Sequence, residues 1–193
     1  MTGTLERRAA MATLLEGRDD DLLVVPGLGS TTYDLAAAGD NDRNFYLWGA
    51  MGGAAMIGLG LALAQPDRRV AVITGDGEML MGMGALATIG IQQPRNLAVI
   101  VFDNGVYGET GGQPGHTGGG VDMGAVARGC RFGTCLEVTD EAGLADLAGR
   151  LKTLQSLLFA RVAIYPEEPP RVLPEKEGAV LKRRFRAALG LTP

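Results

Sequence analysis

Short apolar runs alternate with segments of helical periodicity along most of the chain. The runs 70–74 and 97–102 are apolar on both of their alternating faces, which is typical of strands covered by helices on both sides. Four further runs are shorter or more mixed but have the same strand-like composition. The predicted strands are 22–26, 44–48, 70–74, 97–102, 132–138 and 159–165.

Helical patterns fill the intervals between these strands. We expect Asp122 and Asp140 to be N-caps and Gly129 a C-cap. Strand–helix alternation predicts an α/β fold: a single doubly wound, mainly parallel six-stranded sheet with helices on both faces. We expect one domain over 1–165, followed over 166–193 by a Pro-rich linker and a short C-terminal helix. The predicted helices are 4–16, 50–64, 79–92, 122–128, 140–154 and 176–189.

Composition and charge narrow the class of protein. The chain has 193 residues and a net charge of −4, so it has no global basic field, and we do not expect nucleic acid as a partner. The two cysteines, Cys130 and Cys135, are too few for a disulfide framework or a zinc site. The first residues lack the apolar core of a signal peptide, and no apolar stretch reaches membrane-spanning length. We therefore expect a cytoplasmic protein without membrane contact.

The glycine-rich turns do not match the familiar nucleotide-binding motifs. Gly27 and Gly29 begin a G-x-G pattern, but Thr32 stands where the third glycine belongs. Gly75 and Gly77 begin another, but there Leu80 takes the third position. No Gly-Lys-Ser/Thr sequence occurs, so the P-loop is excluded as well.

Polar residues follow two neighbouring strands of the predicted sheet. Gly75-Asp76-Gly77 ends one strand, and Asp103-Asn104 ends the next. One helix and one strand separate them, so both turns return to the same edge of the sheet. A carboxylate and an amide oxygen, with a backbone carbonyl, suit Mg²⁺, which completes its octahedron with phosphate oxygens and water. The pattern therefore predicts a magnesium-bridged phosphate site.

These motifs resemble the diphosphate-binding (PP) domain of thiamine-diphosphate-dependent 2-oxoacid decarboxylases. The segments 86–89 and 103–117 are similar to those of sulfopyruvate decarboxylase β subunits and phosphonopyruvate decarboxylases. The resemblance covers residues 20–165. The chain departs from the general motif at Asp103, where Asn is usual in the wider family.

The resemblance assigns roles by position. It implies that Asp76, the Asn104 side chain and the Val106 carbonyl bind Mg²⁺. It implies that Met51 props the cofactor in its bent shape, for which core packing is the alternative reading. Two further residues, Glu109 and His116, lie in the glycine-rich loop expected to cover the site and are candidates for proton transfer; a structural or solvent-facing role is the alternative for His116. The cofactor-binding residues implied are Gly29, Ser30, Met51, Gly75, Asp76, Gly77, Glu78, Asn104, Val106, Tyr107 and Gly108.

The same resemblance implies a partner. In the family, a glutamate of a separate pyrimidine-binding (PYR) domain activates the cofactor. One PP domain accounts for the length of this chain. We therefore expect a hetero-oligomer in which an α subunit supplies the PYR domain and its glutamate. Arginines are sparse in the sequence around the proposed site, so the cation that binds the substrate's acid group is expected from the partner.

The expected function is that of a β subunit of a thiamine-diphosphate- and Mg-dependent decarboxylase of an anionic 2-oxoacid. Sulfopyruvate, converted to sulfoacetaldehyde and CO₂, is favoured. Phosphonopyruvate decarboxylase or a related carboligase subunit is the alternative, and a non-catalytic module that binds thiamine diphosphate is another. A ferredoxin-linked oxidoreductase subunit shares the motif, but two cysteines are too few for an iron–sulfur cluster.

Overall fold

The fold is seen in a computed structural model, which describes residues 3–192. Within these residues, seven strands and eight α-helices follow one another. The strands are β1 (Leu22–Pro26), β2 (Arg69–Gly75), β3 (Leu97–Asp103), β4 (Val106–Tyr107), β5 (Gln113–Pro114), β6 (Thr134–Val138) and β7 (Leu158–Ala163). The helices are α1 (Arg7–Leu15), α2 (Ser30–Ala37), α3 (Ala54–Ala64), α4 (Asp76–Met81), α5 (Gly84–Gln92), α6 (Met123–Gly129), α7 (Glu141–Lys152) and α8 (Gly178–Ala188).

Five of the strands form one parallel sheet in the order β1-β2-β3-β7-β6. This confirms the doubly wound parallel fold, but the predicted sixth strand, 44–48, is wrong. That segment meets the sheet only through a bridge between Asn44 and Val24. The side-chain amide of Asn44 donates to the Tyr46 hydroxyl, and that hydroxyl donates to Asp40 Oδ1, each at 3.0 Å, so side-chain contacts rather than a backbone ladder hold this segment.

Helices cover both faces of the sheet, as the apolar strands predict. Helices α1, α2 and α7 pack on one face, and α3, α4, α5 and α6 pack on the other. All seven residues of the central strand β3 are buried. Helix α8 reaches both clusters: Leu181 joins the first, and Phe185 joins the second, where its ring lies 5.2 Å from that of Phe45.

The helix predictions need three corrections. The single helix expected over 79–92 is two helices, α4 and α5, because the chain breaks at Gly82. Helix α2 was not predicted. The N-caps Asp122 and Asp140 are confirmed, but the C-cap of α6 is Cys130 rather than Gly129. Within residues 3–192, no helix has the length and apolarity needed to cross a membrane.

The glycine-rich segment 104–120 contains a small hairpin. Strands β4 and β5 pair in antiparallel fashion, Val106 opposite Pro114 and Tyr107 opposite Gln113. The Gly115 amide then donates to the Gly105 carbonyl at 2.7 Å. These bonds fold the segment back over the carboxyl end of β3.

Two glycines of α3 provide a matched test of its packing. A Cβ on buried Gly58 would lie 2.1 Å from Val72 Cγ2 of β2, whereas a Cβ on exposed Gly60 would meet nothing within 4 Å. We expect Gly58→Ala to lower the free energy of unfolding by about 1–2 kcal/mol through overpacking. We expect Gly60→Ala to raise it by about 0.5–1 kcal/mol through helix propensity. Urea denaturation followed by circular dichroism measures both, and equal effects would contradict the packing.

Candidate functional site

A cavity of about 320 Å³ opens at the carboxyl ends of the central strands. Parallel pairing sets Gly75 of β2 opposite Phe102 of β3, so the residues that follow, Asp76 and Asp103, emerge side by side. Most of the predicted site residues line this cavity. They are Ser30, Met51, Gly75, Asp76, Gly77, Glu78, Asn104, Val106, Tyr107, Gly108 and Glu109.

Asp76 is the first residue of α4, and its side chain is buried at the cavity wall. Burial raises the pKa of Asp76 to about 6, and the nearby Asp103 carboxylate adds to the rise. The Thr117 hydroxyl, 2.8 Å from Asp76 Oδ2, opposes it. The carboxylate therefore lies in a site that disfavours its negative charge unless a cation compensates it.

Asn104 begins the loop that continues from β3. Its Oδ1 accepts the Val106 amide hydrogen at 3.0 Å, a local turn that brings the amide group and the start of β4 together. Both residues line the same cavity as Asp76. The structure thus brings together the carboxylate, the amide and the backbone segment that the sequence motif predicts, a set of oxygens suited to a hard cation.

Glu78 lines the cavity, and its carboxylate also bonds to the neighbouring turn. Its Oε2 accepts hydrogen bonds from the Leu28 amide and the Thr74 hydroxyl, each at 2.9 Å. A Cβ on Gly27 would lie 1.8 Å from this oxygen, so a larger residue there would displace the Glu78 carboxylate. Burial raises the pKa of Glu78. Its carboxylate holds the turn after β1 against the end of β2.

Met51 stands on a loop that touches the turn between α4 and α5. Its side chain is 50% exposed and belongs to neither core cluster, which removes core packing as an explanation. The neighbouring Gly52 has a φ of +87°, and a Cβ on Gly82 would lie 2.1 Å from the Gly52 carbonyl oxygen. Two backbones therefore meet directly beside Met51.

The two candidates for proton transfer lie in different recesses. Glu109 lines the main cavity, and its Oε2 pairs with Arg171 at 3.0 Å. His116 faces a second recess, where its Nδ1 is 2.7 Å from the Tyr107 hydroxyl. The Tyr107 ring fills the space beside Gly77, 2.8 Å from where a Cβ would be. Gly29 does not line the main cavity, although a Cβ there would lie 3.0 Å from Glu109 Cγ.

Sequence reasoning missed several residues of this site. Arg7 lines the cavity and pairs with the buried Asp34 at 3.1 Å, and Arg171 reaches Glu109 from beyond the last strand. The expectation that arginines are sparse around the site is therefore wrong, because Arg7 and Arg171, which are distant in sequence, lie at or beside the cavity. No sequence pattern links these positions. Thr117, by contrast, lies inside the segment that carried the family resemblance.

Comparison with known proteins bears on the whole chain. The C-terminal TPP-binding domain of thiamine pyrophosphate enzymes matches residues 28–155. The sulfopyruvate decarboxylase subunit beta of Methanocaldococcus jannaschii is 35% identical over 177 residues, which cover 91% of this chain and 93% of the relative. The phosphonopyruvate decarboxylase of Streptomyces viridochromogenes is 38% identical over 192 residues, 97% of this chain and 47% of the relative. This chain thus spans about half of that enzyme.

Solved structures show the same fold. Benzoylformate decarboxylase from Polynucleobacter necessarius matches with a TM-score of 0.71 and 20% identity, over 86% of this chain and 34% of that chain. A protein isolated from Mycobacterium smegmatis and described as a thiamin diphosphate-dependent enzyme matches with a TM-score of 0.72 and 23% identity, over 86% of this chain and 33% of that chain. At such identities the likeness establishes the fold alone.

Proposed function

This chain belongs to the thiamine pyrophosphate enzymes, whose C-terminal cofactor-binding domain it carries, and we propose that it is the β subunit of a decarboxylase of an anionic 2-oxoacid. The observation that carries the proposal is the meeting of Asp76, Asn104 and Val106 at one cavity at the strand ends. Sulfopyruvate is the favoured substrate, because sulfopyruvate decarboxylase β subunits match over nearly their whole length. Phosphonopyruvate is the second candidate, since a phosphonopyruvate decarboxylase is 38% identical.

The residues at the cavity fit thiamine diphosphate and Mg²⁺. Among residues 3–192, no group of three or more His, Cys, Asp or Glu side chains could hold a metal ion. The Mg²⁺ site therefore depends on the mixed set of the Asp76 carboxylate, the Asn104 amide oxygen and the Val106 carbonyl. The residues proposed around the diphosphate are Gly29, Ser30, Gly75, Gly77, Glu78, Tyr107 and Gly108.

Thiamine diphosphate, when bound, supplies an electron sink for the electron pair left as CO₂ departs from a 2-oxoacid. The contribution of this chain is to orient the cofactor and to enclose the site. Met51 props the cofactor, and the 104–120 segment limits the access of water. Glu109 is proposed to transfer a proton, for which its Oε2 must separate from Arg171. His116 is the second proposed proton carrier, positioned by the Tyr107 hydroxyl.

A partner subunit completes the proposed enzyme. The β-subunit names of the relatives support this, and so do the exposed apolar side chains beside the cavity, Met51 and Met81, which are 50% and 60% exposed. We propose that the partner contributes a PYR domain with the activating glutamate, as the family resemblance implies. The hetero-oligomer then forms its active site between the two chains.

Turnover by the reconstituted pair tests the proposal. The chain is purified alone and with the product of a neighbouring reading frame that encodes a PYR-type domain. We expect CO₂ release from sulfopyruvate by the pair and none above background by the chain alone. Faster turnover of phosphonopyruvate would transfer the assignment to the second candidate. Cofactor binding without turnover of either substrate would favour a non-catalytic module.

The raised pKa of Asp76 predicts a pH dependence of cofactor binding. Below about pH 6 the carboxylate holds a proton, which a metal ion must displace. At fixed Mg²⁺, we expect the affinity for thiamine diphosphate to fall by up to about tenfold per pH unit below that value. Calorimetry in buffers of different ionisation enthalpy measures both the affinity and the released proton. Constant affinity between pH 7.5 and pH 5 would contradict the prediction.

A further inference from the structure

Thr117 stands between two carboxylates at the wall of the cavity. Its hydroxyl is 2.8 Å from Asp76 Oδ2 and 2.7 Å from Asp103 Oδ1. The turn that carries it packs directly on the loop after β3, where a Cβ on Gly118 would lie 2.6 Å from the Gly105 carbonyl oxygen. The backbone around Thr117 is therefore packed closely on that loop.

The negative charge of Asp103 is compensated at the carboxylate oxygen that Thr117 does not contact. Its Oδ2 pairs with Arg161 of β7, and Arg161 also pairs with Glu137 of β6 at 3.0 Å. The Asp103 side chain is only 1% exposed, so this ion pair compensates a charge that is otherwise costly to bury. Its Oδ1 accepts the Gly105 amide hydrogen at 2.9 Å as well. A continuous chain of side chains thus runs from β6 to Asp76.

We propose that Thr117 and the Asp103–Arg161 ion pair are positioning residues for the Asp76 carboxylate at the metal site. The inference rests on the proposed magnesium site and deepens it. With Oδ2 held by Thr117, rotation of the Asp76 carboxylate is restricted, and outer contacts of this kind orient metal ligands. The Asp103–Arg161 ion pair in turn fixes the orientation of the Asp103 carboxylate, whose Oδ1 contacts the Thr117 hydroxyl.

The ion pair also gives a physical reason for Asp103. An asparagine there would keep an oxygen for Thr117 but would place its amide group beside the Arg161 guanidinium, which offers only donors. The aspartate and the arginine therefore depend on each other. Changing either one alone breaks the chain of contacts, and changing both to amides restores a donor and an acceptor.

The first experiment replaces Thr117 in the full chain. Titration calorimetry measures thiamine diphosphate binding at fixed Mg²⁺, and electron paramagnetic resonance measures Mn²⁺ bound in the presence of thiamine diphosphate. We expect Thr117→Val to lower both affinities by about 10–100-fold, and Thr117→Ser to retain them within about threefold. Thr153→Val is the matched control, since Thr153 bonds to Gly149 at the end of α7, near the opposite edge of the sheet.

The outcomes separate the two proposals. If the unaltered chain binds thiamine diphosphate with Mg²⁺ and Thr117→Val binds it equally well, the positioning role is overturned while the proposed function stands. The role is also overturned if Thr117→Ser is as weak as Thr117→Val. If the unaltered chain binds neither thiamine diphosphate nor Mn²⁺, both proposals fail. The melting temperature of each ligand-free variant identifies any loss that is due to unfolding.

The second experiment is a double-mutant cycle on the ion pair. We expect Asp103→Asn and Arg161→Gln each to weaken thiamine diphosphate binding about tenfold. We expect the double variant to return to within about threefold of the unaltered chain, because the paired changes are coupled. Arg150→Gln, which breaks an exposed pair with Asp146, is the control. Losses that simply multiply in the double variant would overturn the role of Arg161.

Discussion

Replacing Asp76 by alanine is expected to abolish the proposed magnesium-dependent binding of thiamine diphosphate. We expect the affinity to fall by at least about 100-fold, because losing a direct ligand costs more than losing an outer contact of the site. Asp76 is the only acidic side chain among the three proposed metal-binding groups. Without it, the Asn104 amide and the Val106 carbonyl offer a divalent cation no negative charge. Titration calorimetry at fixed Mg²⁺ gives the affinity directly.

A second aspartate controls for the loss of a helix-terminal acid. Asp140 caps α7, where its Oδ1 accepts the Gly143 amide hydrogen at 2.8 Å. Asp140→Ala is expected to cost about 1 kcal/mol of stability through the lost cap and to leave cofactor binding unchanged. Binding by Asp76→Ala that equals the binding by Asp140→Ala would remove Asp76 from the metal site.

Replacing Gly82 by alanine is expected to damage both the fold and the cofactor site. The new Cβ would lie 2.1 Å from the Gly52 carbonyl oxygen and 3.0 Å from the Gly52 Cα, so backbone rather than a side-chain end must move. We expect the free energy of unfolding to fall by about 2–3 kcal/mol. The displaced loop carries Met51, so thiamine diphosphate binding is expected to weaken as well.

Gly84 provides the matched control, two residues further along. It is exposed at the start of α5, and a Cβ there would meet nothing within 4 Å. Gly84→Ala is therefore expected to keep both stability and thiamine diphosphate affinity. Urea denaturation and calorimetry compare the two variants. A Gly82→Ala protein as stable as Gly84→Ala would show that the Gly52–Gly82 contact can relax without cost.

Sequence patterns predicted the parts of this fold in which each face of an element is buried. Strands β2 and β3 were found because their apolar residues are continuous. Helix α2 was missed because its first turn holds Thr31 and Thr32, which are poor helix formers. Their hydroxyls bond to the Gly27 carbonyl at 3.0 and 2.7 Å, a local contact that periodicity does not register.

The candidate site, too, could be predicted only in part. Asp76 and Asn104 could be placed together because parallel strands end at one edge of the sheet. The residues around them could not be, since their contacts depend on how distant segments fold back. Arg161 meets Asp103 from 58 positions along the chain, and Arg171 meets Glu109 from 62 positions away. Neither pairing leaves a spacing that a single sequence reveals.

The bridge between Asn44 and Val24 has a consequence for solubility. Strand β1 is a border strand of the sheet, and its free backbone groups would otherwise be a template for another chain's strand. The Val24 amide donates to the Arg43 carbonyl at 3.0 Å, and the Phe45 amide donates to the Val24 carbonyl at 2.8 Å. The segment that fails to become a sixth strand thereby occupies the middle of this edge, where it hinders pairing with a strand of another chain.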